Sequence, residues 1–413
     1  MTSGLELPLA GKTVAVVHAD WHSCGSYEIN VTQAATYREL GARVISVAIS
    51  DHLGHTPDKP AAWNSYIAAT PDMPADQRYY TGPSLATAIR PDFLLGEYRQ
   101  LLRGNHAAYN AALRGRSPVP RDLALQRIDL VHCNHFFCMP FVEKLLGTKR
   151  CPIVLETQDI QADQYQLRNK GAFLLPPGAT YEEMLGIELD WMRRADLMVH
   201  LNAEEDATFR RLLPEKQHAL IYPAVAPVPT GPGGDEIVVV ASANRGNVLS
   251  VEWLLSEVLP RARDVKVAIV GNIDAALRKH NPALYERHRR LFRGRVDDIG
   301  SVYANAKVVL LPTSEGHGLS IKTVEALSSG LPLIATAQAF RGMQVVAASL
   351  ANVTIADSPQ AFASALRAAA GQAPASGAER LASDTRRLYE AHFSLEAYRE
   401  ALASRVLPLP AAR

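Results

Sequence analysis

Short apolar runs alternate with longer stretches of helical periodicity along the first half of the chain. These runs cover 13–19, 42–49, 129–133, 152–157, 196–201 and 219–223. Runs that are apolar on both faces are typical of strands buried in a parallel sheet. The stretch 26–40 is long enough for a crossover helix, and Gly41 follows where such a helix would end. The repeated strand–helix–strand unit predicts a doubly wound sheet.

A second alternating series fills the other half of the chain, with apolar runs at 236–243, 266–271, 306–312, 331–336 and 352–356. The segment 223–235 separates the two series and is rich in proline and glycine, so it can continue neither a helix nor a central strand. We therefore predict an α/β protein with two Rossmann-like domains joined by this linker. The tail 393–406 has a helical pattern.

One segment does not follow the alternation. Residues 52–127 contain six prolines before position 92 and then a helix-like stretch over 93–115. An insertion of this length in an α/β domain is often functional. Recognition of an acceptor substrate and a purely structural elaboration are equally good interpretations of it.

Composition narrows the class of partner. The chain has 413 residues, 47% hydrophobic and 21% charged, and a net charge of +1, which gives no electrostatic argument for a nucleic-acid partner. The four cysteines form no zinc-like pairs, and we expect no resident metal. We find no signal peptide and no apolar stretch of the roughly 20 residues that cross a bilayer. We expect a cytoplasmic protein.

Membrane contact, if there is any, would be peripheral and at the inner face of the membrane. The densest run of basic residues lies within 287–295. It is typical of a solvated helix face, and the other interpretation is contact with an anionic lipid or polymer.

The most informative segment is 315–336, which follows the apolar run 306–312. Ligands of open α/β sheets bind at the carboxyl ends of strands. Gly316 and Gly318 let the backbone approach a ligand, and a helix is expected to start near Leu319 and Ser320. The amides of that helix start favour an anion.

Two charged residues on this helix extend the hypothesis. Lys322 in the first turn would add a positive charge for a diphosphate, and Glu325, three residues on, would hold vicinal hydroxyls. This arrangement describes a nucleoside diphosphate sugar. An ordinary strand–helix turn with a Lys322–Glu325 ion pair is the alternative.

The segment GHGLSIKTVEALSSGLPLIAT (316–336) resembles the donor-binding signature of GT-B glycosyltransferases, particularly the retaining group known as family 4. Blocks at 238–260, 266–272 and 293–312 resemble further segments of that family in its order. The resemblance implies two Rossmann-like domains that face each other across a cleft, with a C-terminal helix returning to the first domain. It gives an acceptor-side domain of 1–225 plus 393–413 and a donor domain of 226–392.

The resemblance also assigns roles in the donor domain. It places Glu325 on the donor ribose, and Lys322 beside the phosphates. The amides of Gly318, Leu319 and Ser320 would meet the diphosphate. Further phosphate or base contacts come from the loop that holds Asn244, Arg245 and Asn247. Many members have an arginine and a lysine in that loop, whereas here no lysine follows the arginine.

A second departure concerns a pair of glutamates eight positions apart in the family. Eight positions before Glu325 stands His317, and Glu315 is ten positions before it. The pair is degenerate, so His317 or Glu315 would take part of the role of the first glutamate, which contacts the donor sugar.

In the first domain the resemblance places Gly25 and Ser26 in a loop near the transferred sugar, although a simple turn explains them equally. Asn134 aligns with a family histidine near the reacting sugar, and His135 is one position away. Asp159 matches a retained family aspartate. We take Asp159, His135 and Lys322 as candidate catalytic residues, with a helix N-cap as the alternative for Asp159.

The expected reaction is transfer of a sugar from a nucleoside diphosphate sugar to a glycan, a lipid-linked acceptor or a small molecule. The donor is a co-substrate and no cofactor is expected. The resemblance implies a retaining reaction, and the donor half lacks a metal-binding D-x-D motif. The alternatives are a GT-B sugar-nucleotide epimerase and a non-catalytic nucleotide- or carbohydrate-binding protein. The chain lacks the G-x-G-x-x-G of a nicotinamide dehydrogenase after its first strand.

Overall fold

The strands of the protein fall into two separate parallel sheets, one in each of two compact units. The computed structural model describes residues 7–231, 233–316 and 318–409. The first unit takes in the described residues up to Leu201, Glu205–Ile221, and the chain from Arg399 onward. The second comprises Asn202–Glu204 and Tyr222–Tyr398.

The described part of the first unit forms a seven-stranded sheet in the order β3-β2-β1-β4-β5-β6-β7, with every neighbouring pair parallel. Its strands are β1 (Thr13–Ala19), β2 (Arg43–Ile49), β3 (Gln77–Thr81), β4 (Leu130–Asn134), β5 (Ile153–Glu156), β6 (Leu197–His200) and β7 (Gln217–Leu220). All residues of β1 are buried, as expected for a strand covered on both faces.

Helices connect these strands. They are α1 (Gly25–Glu39), α2 (Pro60–Ala69), α3 (Arg99–Leu102), α4 (His106–Gly115), α5 (Arg121–Ala124), α6 (Met139–Leu146), α7 (Gln161–Asn169), α8 (Tyr181–Met192) and α9 (Ala203–Leu212). A π-helical turn, Phe93–Tyr98, leads directly into α3, and 3₁₀ turns form at Leu85–Ile89 and Phe136–Cys138.

The described part of the second unit forms a six-stranded parallel sheet in the order β10-β9-β8-β11-β12-β13. Its strands are β8 (Glu236–Val240), β9 (Ala268–Val270), β10 (Phe292–Gly294), β11 (Ala306–Leu311), β12 (Leu333–Ala335) and β13 (Val353–Ile355). Its α-helices are α10 (Arg245–Trp253), α11 (Ile273–His280), α12 (Pro282–His288), α13 (Ile299–Ala304), α14 (Ile321–Ser329), α15 (Pro359–Ala370), α16 (Gly377–Leu381) and α17 (Asp384–His392). Shorter turns lie at Leu254–Val258, Leu259–Arg261, Arg289–Leu291, Ala337–Phe340 and Ala347–Ser349.

The last helix, α18 (Leu395–Val406), begins in the second unit and ends in the first. Val406 and Leu407 line a cavity of the first unit together with Leu9 and Lys12. None of the helices in the described part of the chain has the length and apolarity that a bilayer crossing requires.

The α/β class with two parallel sheets is confirmed, and three local predictions differ. Strand β3 lies within the insertion 52–127, where its polar sequence QRYYT gives no apolar run. Strand β10 has only three residues and was not predicted. The expected helix over 93–115 is broken, because Gly104 takes a positive φ of 79° between α3 and α4.

Strand order decides which loops lie together. The chain runs outward from β1 to β3 and then resumes at β4 on the other side of β1. The second sheet repeats this step between β8 and β11. At such a switch point the loops after the two adjacent strands diverge and leave a crevice that ligands use.

A buried carboxyl group caps the helix that follows β5. The Glu188 side chain accepts the backbone N–H groups of Gln161 and Ala162, at 3.1 and 3.0 Å. Burial raises the pKa of Glu188 to about 8, although these two N–H donors act in the opposite direction. The folded protein therefore retains a proton on Glu188 at pH values where the unfolded chain has released it.

We expect the free energy of unfolding to fall as pH rises between the ordinary glutamate pKa of 4.5 and about 8. The sign follows because the raised pKa means that the folded state binds more protons in this window, and the slope from this group is at most about 1.4 kcal/mol per pH unit. The side chain of Glu188→Gln cannot titrate. Urea denaturation at several pH values between 4.5 and about 8 should therefore show that the unfolding free energy of this variant falls less steeply with pH.

Glu182→Gln is the matched control, since Glu182 is exposed on the same helix. Its unfolding free energy should depend on pH as steeply as that of the unmodified protein. The same pH dependence in Glu188→Gln would refute this explanation.

Candidate functional site

A cavity of about 410 Å³ opens at the carboxyl ends of β8 and β11, at the switch point of the second sheet. Seven of the residues that the sequence analysis singled out line it, namely Asn244, Asn247, Glu315, Gly316, Leu319, Ser320 and Lys322. Among the described residues, Arg245, Gly318 and Glu325 belong to the same loops and helix but are not part of its lining. His317 lies outside the described residues.

The side chains of Asn244 and Asn247 fix the conformation of the loop after β8. Asn244 is the N-cap of α10 and accepts the N–H of Asn247 at 2.9 Å. The Asn247 amide donates to the carbonyl oxygen of Ser242 at 2.9 Å. Arg245 is exposed at the first position of α10. These bonds fix the loop backbone and leave the guanidinium of Arg245 in solvent.

The loop after β11 follows the predicted course into α14. Gly316 has a φ of 147° and Gly318 a φ of 63°, both in the region that favours glycine. Ser320 is the N-cap of α14, and its hydroxyl accepts the N–H of Thr323 at 3.3 Å. The first turn of a nine-residue helix therefore faces the cavity with the positive end of its dipole.

Lys322 and Glu325 form the ion pair that the sequence left open as an alternative. The Lys322 Nζ donates to both carboxylate oxygens of Glu325, at 2.8 and 2.9 Å. The buried Tyr303 side chain lies beside this carboxylate. Burial, and to a smaller extent the negative charge of Glu325, raise the pKa of Tyr303 well above its usual value. The Glu325 carboxylate thus lies between the Lys322 ammonium and the Tyr303 phenol.

Arg341, which the sequence did not suggest, is a second cation of the cavity wall. It follows the 3₁₀ turn after β12, the strand adjacent to β11, so its loop lies at the same sheet edge. Its guanidinium packs on Gly316: a Cβ there would stand 2.7 Å from the Arg341 Cζ. The Gln338 side chain, from the same turn, donates to the Gly316 carbonyl at 3.2 Å.

The guanidinium of Arg341 is incompletely satisfied. Its Nη1 donates to the carbonyl oxygen of Gln338 at 3.2 Å, whereas its buried Nε has no hydrogen-bond partner among the described residues. Burial lowers the pKa of Arg341, and the negative charge of Glu204 partly offsets this. A half-buried cation with an unused donor is costly, and an anion in the cavity would remove that cost.

In the first unit, Asn134 belongs to a buried network at the carboxyl ends of β4 and β5. The Gln33 Nε2 donates to the Asn134 Oδ1 at 3.0 Å and to Glu156 at 2.6 Å. The Gln158 Nε2 donates to the same two side chains, at 3.1 and 2.6 Å. The fully buried carboxylate of Glu156 thus holds both glutamines in place.

His135, directly after β4, has a positive φ of 68° and a nearly fully buried side chain. Its ring stacks on Phe137 at a centroid distance of 4.7 Å and meets the edge of Trp21 at 5.0 Å. Burial lowers its pKa to about 3, so the ring is neutral at physiological pH. Gln158 after β5 has a φ of 65°, and strained residues of this kind cluster at functional sites.

The other predicted residues of the first unit follow β1 and β5. Gly25 and Ser26 open α1, and a Cβ on Gly25 would meet no atom within 4 Å, as in a simple turn. Asp159 is partly exposed, and its N–H donates to the carbonyl oxygen of Thr157 at 2.8 Å. The N-cap of α7 is Ile160, so the alternative role of Asp159 as N-cap of that helix is not observed.

Gly316→Ala tests the packing of Arg341. The substitution adds a Cβ at a positive φ and against the guanidinium, so we expect a loss of about 1–3 kcal/mol in the free energy of unfolding, measured by urea denaturation. Gly25→Ala is the matched control, with open space around the new Cβ. Equal effects of the two substitutions would contradict the contact.

Comparison with known families identifies the second unit. Residues 234–371 match the family described as glycosyl transferases group 1. No curated protein sequence gives a significant match.

Solved structures similar to this chain extend the likeness to the first unit. HepE from Anabaena, in complex with UDP and glucose, has a TM-score of 0.57 and 13% identity, with 96% of this chain and 99% of that chain covered. Sucrose-phosphate synthase from Thermosynechococcus elongatus has a TM-score of 0.55 and 18% identity, with 95% and 98% covered. An α,α-trehalose-phosphate synthase (UDP-forming) from Burkholderia vietnamiensis has a TM-score of 0.57 and 15% identity, with 95% and 99% covered.

The predicted likeness to GT-B glycosyltransferases is confirmed: the chain has the GT-B fold, and its residues 234–371 match the group 1 glycosyl transferases.

Proposed function

We propose that this glycosyltransferase takes a nucleoside diphosphate sugar as donor and seats the diphosphate in the cavity of the second unit. The observation that carries the proposal is the meeting of Lys322, Arg341 and the first turn of α14 around one cavity. Each of them favours an anion, and the Nε of Arg341 is an unused donor.

The ion pair of Lys322 and Glu325 fits the donor site that the resemblance implies. A bound diphosphate would attract the Lys322 ammonium more strongly than the single charge of one carboxylate does. The hydroxyls of a ribose are hydrogen-bond donors and would replace the ammonium at Glu325. The pair therefore holds both side chains in position until the donor arrives.

Arg341 also addresses the departure from the family pattern in the loop after β8. No lysine follows Arg245 there, so this loop supplies one cation fewer than in many relatives. We propose that Arg341 supplies the missing charge from the loop after β12. The predicted roles of Asn244, Arg245, Asn247, Glu315, His317, Gly318, Leu319 and Ser320 in donor binding remain part of the proposal.

We propose a retaining reaction that needs neither a cofactor nor a resident metal. The departing nucleoside diphosphate is a stabilised anion, and two cations and a helix start can stabilise its charge. In the first unit, Gly25, Ser26, Asn134, His135 and Asp159 are proposed for the acceptor and the transferred sugar. Of the two candidate proton-handling groups there, Asp159 is the more accessible, and His135 would act only as a neutral ring.

The acceptor is proposed to be a glycan, a lipid-linked molecule or a small molecule, and no nucleic acid is expected as a partner. A cytoplasmic location is supported by Cys24, Cys133, Cys138 and Cys151, which are all free thiols. UDP is the first nucleotide to test, because HepE is solved with UDP and the trehalose-phosphate synthase is described as UDP-forming.

Calorimetry with UDP, GDP, ADP, TDP and CMP should identify the donor nucleotide, and Arg341→Gln should weaken the best binder about 10- to 100-fold. This loss corresponds to one or two charge-assisted hydrogen bonds to phosphate. Arg290→Gln is the matched control, since Arg290 is exposed outside the cavity. Unchanged affinity in Arg341→Gln would contradict the proposed position of the diphosphate.

A comparison of UDP with inorganic pyrophosphate separates the two members of the ion pair. Lys322→Gln should weaken both ligands, since both carry the diphosphate. Glu325→Gln should weaken UDP about tenfold and leave pyrophosphate unweakened, because only UDP has a ribose. If both ligands respond alike to Glu325→Gln, the carboxylate has only its structural role with Lys322.

The alternatives make different predictions in a turnover assay. An epimerase would release the nucleotide from a sugar nucleotide without any acceptor. A non-catalytic binding protein would bind the nucleotide and show no turnover with any acceptor. Acceptor-dependent release of the nucleoside diphosphate is the result that supports the transferase.

A further inference from the structure

The first unit exposes a stripe of large apolar side chains within the insertion. Leu94, Leu95, Tyr98 and Leu102 are all exposed on the helical segment from Phe93 to Leu102, and Leu95 is 76% exposed. Residues about four apart lie on the same side of a helix, so Leu94, Tyr98 and Leu102 form one row.

An adjacent face of this segment attaches it to the rest of the unit. Phe93 is buried, and the guanidinium of Arg116 lies over its ring at 5.8 Å. Glu97 makes a 2.6 Å ion pair with the same arginine. The segment is therefore attached to the unit by one face, and this attachment turns the apolar row outward.

A second segment adds to the stripe. The Leu175 N–H donates to the Leu102 carbonyl oxygen at 2.8 Å, and the Ala179 N–H donates to that of Arg103 at 2.8 Å. These bonds place the loop after α7 beside the end of α3. Phe173 in this loop is 95% exposed, and Leu175 is also exposed. We call Leu94, Leu95, Tyr98, Leu102, Phe173 and Leu175 the apolar surface.

The two segments that carry the apolar surface contain more positive than negative side chains. The segments 85–103 and 167–175 contain five cationic side chains and two carboxylates. Both carboxylates, Asp92 and Glu97, already bind arginines. The exposed cations Arg99, Arg168 and Lys170 take part in no ion pair among the described residues.

The basic run within 287–295 has a different character. Arg293 pairs with Glu236 at 2.5 Å, and Arg289 pairs with Glu286 at 3.8 Å. In the described structure no large apolar side chain of 287–295 is exposed. This run therefore lacks the combination of exposed apolar and cationic side chains that occurs at the insertion.

We propose that the apolar surface binds peripherally to a membrane that carries anionic headgroups. Its leucines and Phe173 would enter the boundary between headgroups and acyl chains, and Arg99, Arg168 and Lys170 would meet the phosphates. An exposed apolar patch that a fixed backbone presents needs a partner, and the unpaired cations beside it select an anionic one. The proposal depends on none of the donor-site residues.

Sedimentation of the full chain with lipid vesicles, without any nucleotide, tests the proposal. The protein should bind vesicles of phosphatidylcholine mixed with phosphatidylglycerol and should bind pure phosphatidylcholine weakly. The double variant Leu95→Ser with Phe173→Ser should reduce binding about tenfold or more, because it removes two of the most exposed apolar groups. Arg99→Gln with Lys170→Gln should reduce binding to anionic vesicles roughly fivefold for each cation removed.

Leu125→Ser is the matched control, since Leu125 is 84% exposed in the same unit and outside the apolar surface. It should bind vesicles as the unmodified protein does, and circular dichroism should show that every variant is folded. Absence of vesicle binding, or binding that the double variant leaves unchanged, would overturn the proposal. Concentration-dependent self-association that the double variant abolishes, without vesicle binding, would show that a second copy of the chain covers the surface.

Discussion

The parallel orientation of every strand pair is the constraint on which the candidate sites depend. Because neighbouring strands run the same way, the loops that follow them meet at one edge of each sheet. In the second unit this brings together the loops after β8, β11 and β12, which are far apart in sequence. The first unit has the same arrangement after β1, β4 and β5. We propose that the donor binds at this edge of the second unit, and that the acceptor binds at the corresponding edge of the first unit.

Charge rather than acid–base chemistry distinguishes the cavity of the second unit. Lys322 neutralises Glu325, and Arg341 is held against Gly316 with one donor unused. Such an arrangement is suited to a ligand that is an anion both before and after the reaction, as a nucleoside diphosphate sugar and the released nucleoside diphosphate are. In the proposed function, positioning and charge stabilisation are the main contributions that the protein makes to the transfer.

The sequence predicted the elements whose signals are local. The apolar runs predicted every described strand except β3 and β10, and the glycine-rich loop with Ser320 placed the start of α14 within two residues. Strand β3 was missed because its tyrosines and polar residues give no apolar run, although pairing with β2 makes it a strand. The break at Gly104 was missed because it involves a contact with Asn169 at the end of α7, which is far away in the sequence and donates to the Gly104 carbonyl oxygen at 2.9 Å.

Arg341 shows most clearly where sequence reasoning ends. Nothing in the residues around it indicates a ligand, and it lies 25 positions after Gly316 along the chain. Only the adjacency of β11 and β12 brings its guanidinium onto that glycine. By contrast, Lys322 and Glu325 could be proposed from the sequence, because their three-residue spacing on a helix and the resemblance of their segment to a donor-binding signature are both visible there. Their ion pair was foreseen as an alternative, and geometry was needed to observe it.

A crystal structure of the full chain with bound UDP is the most direct test of the central claim. The account predicts the diphosphate beside the first turn of α14, with its oxygens within about 3 Å of Lys322 Nζ and of the Arg341 guanidinium. It also predicts the ribose hydroxyls at Glu325. UDP bound elsewhere on the chain, with this cavity empty and the Lys322–Glu325 pair intact, would contradict it.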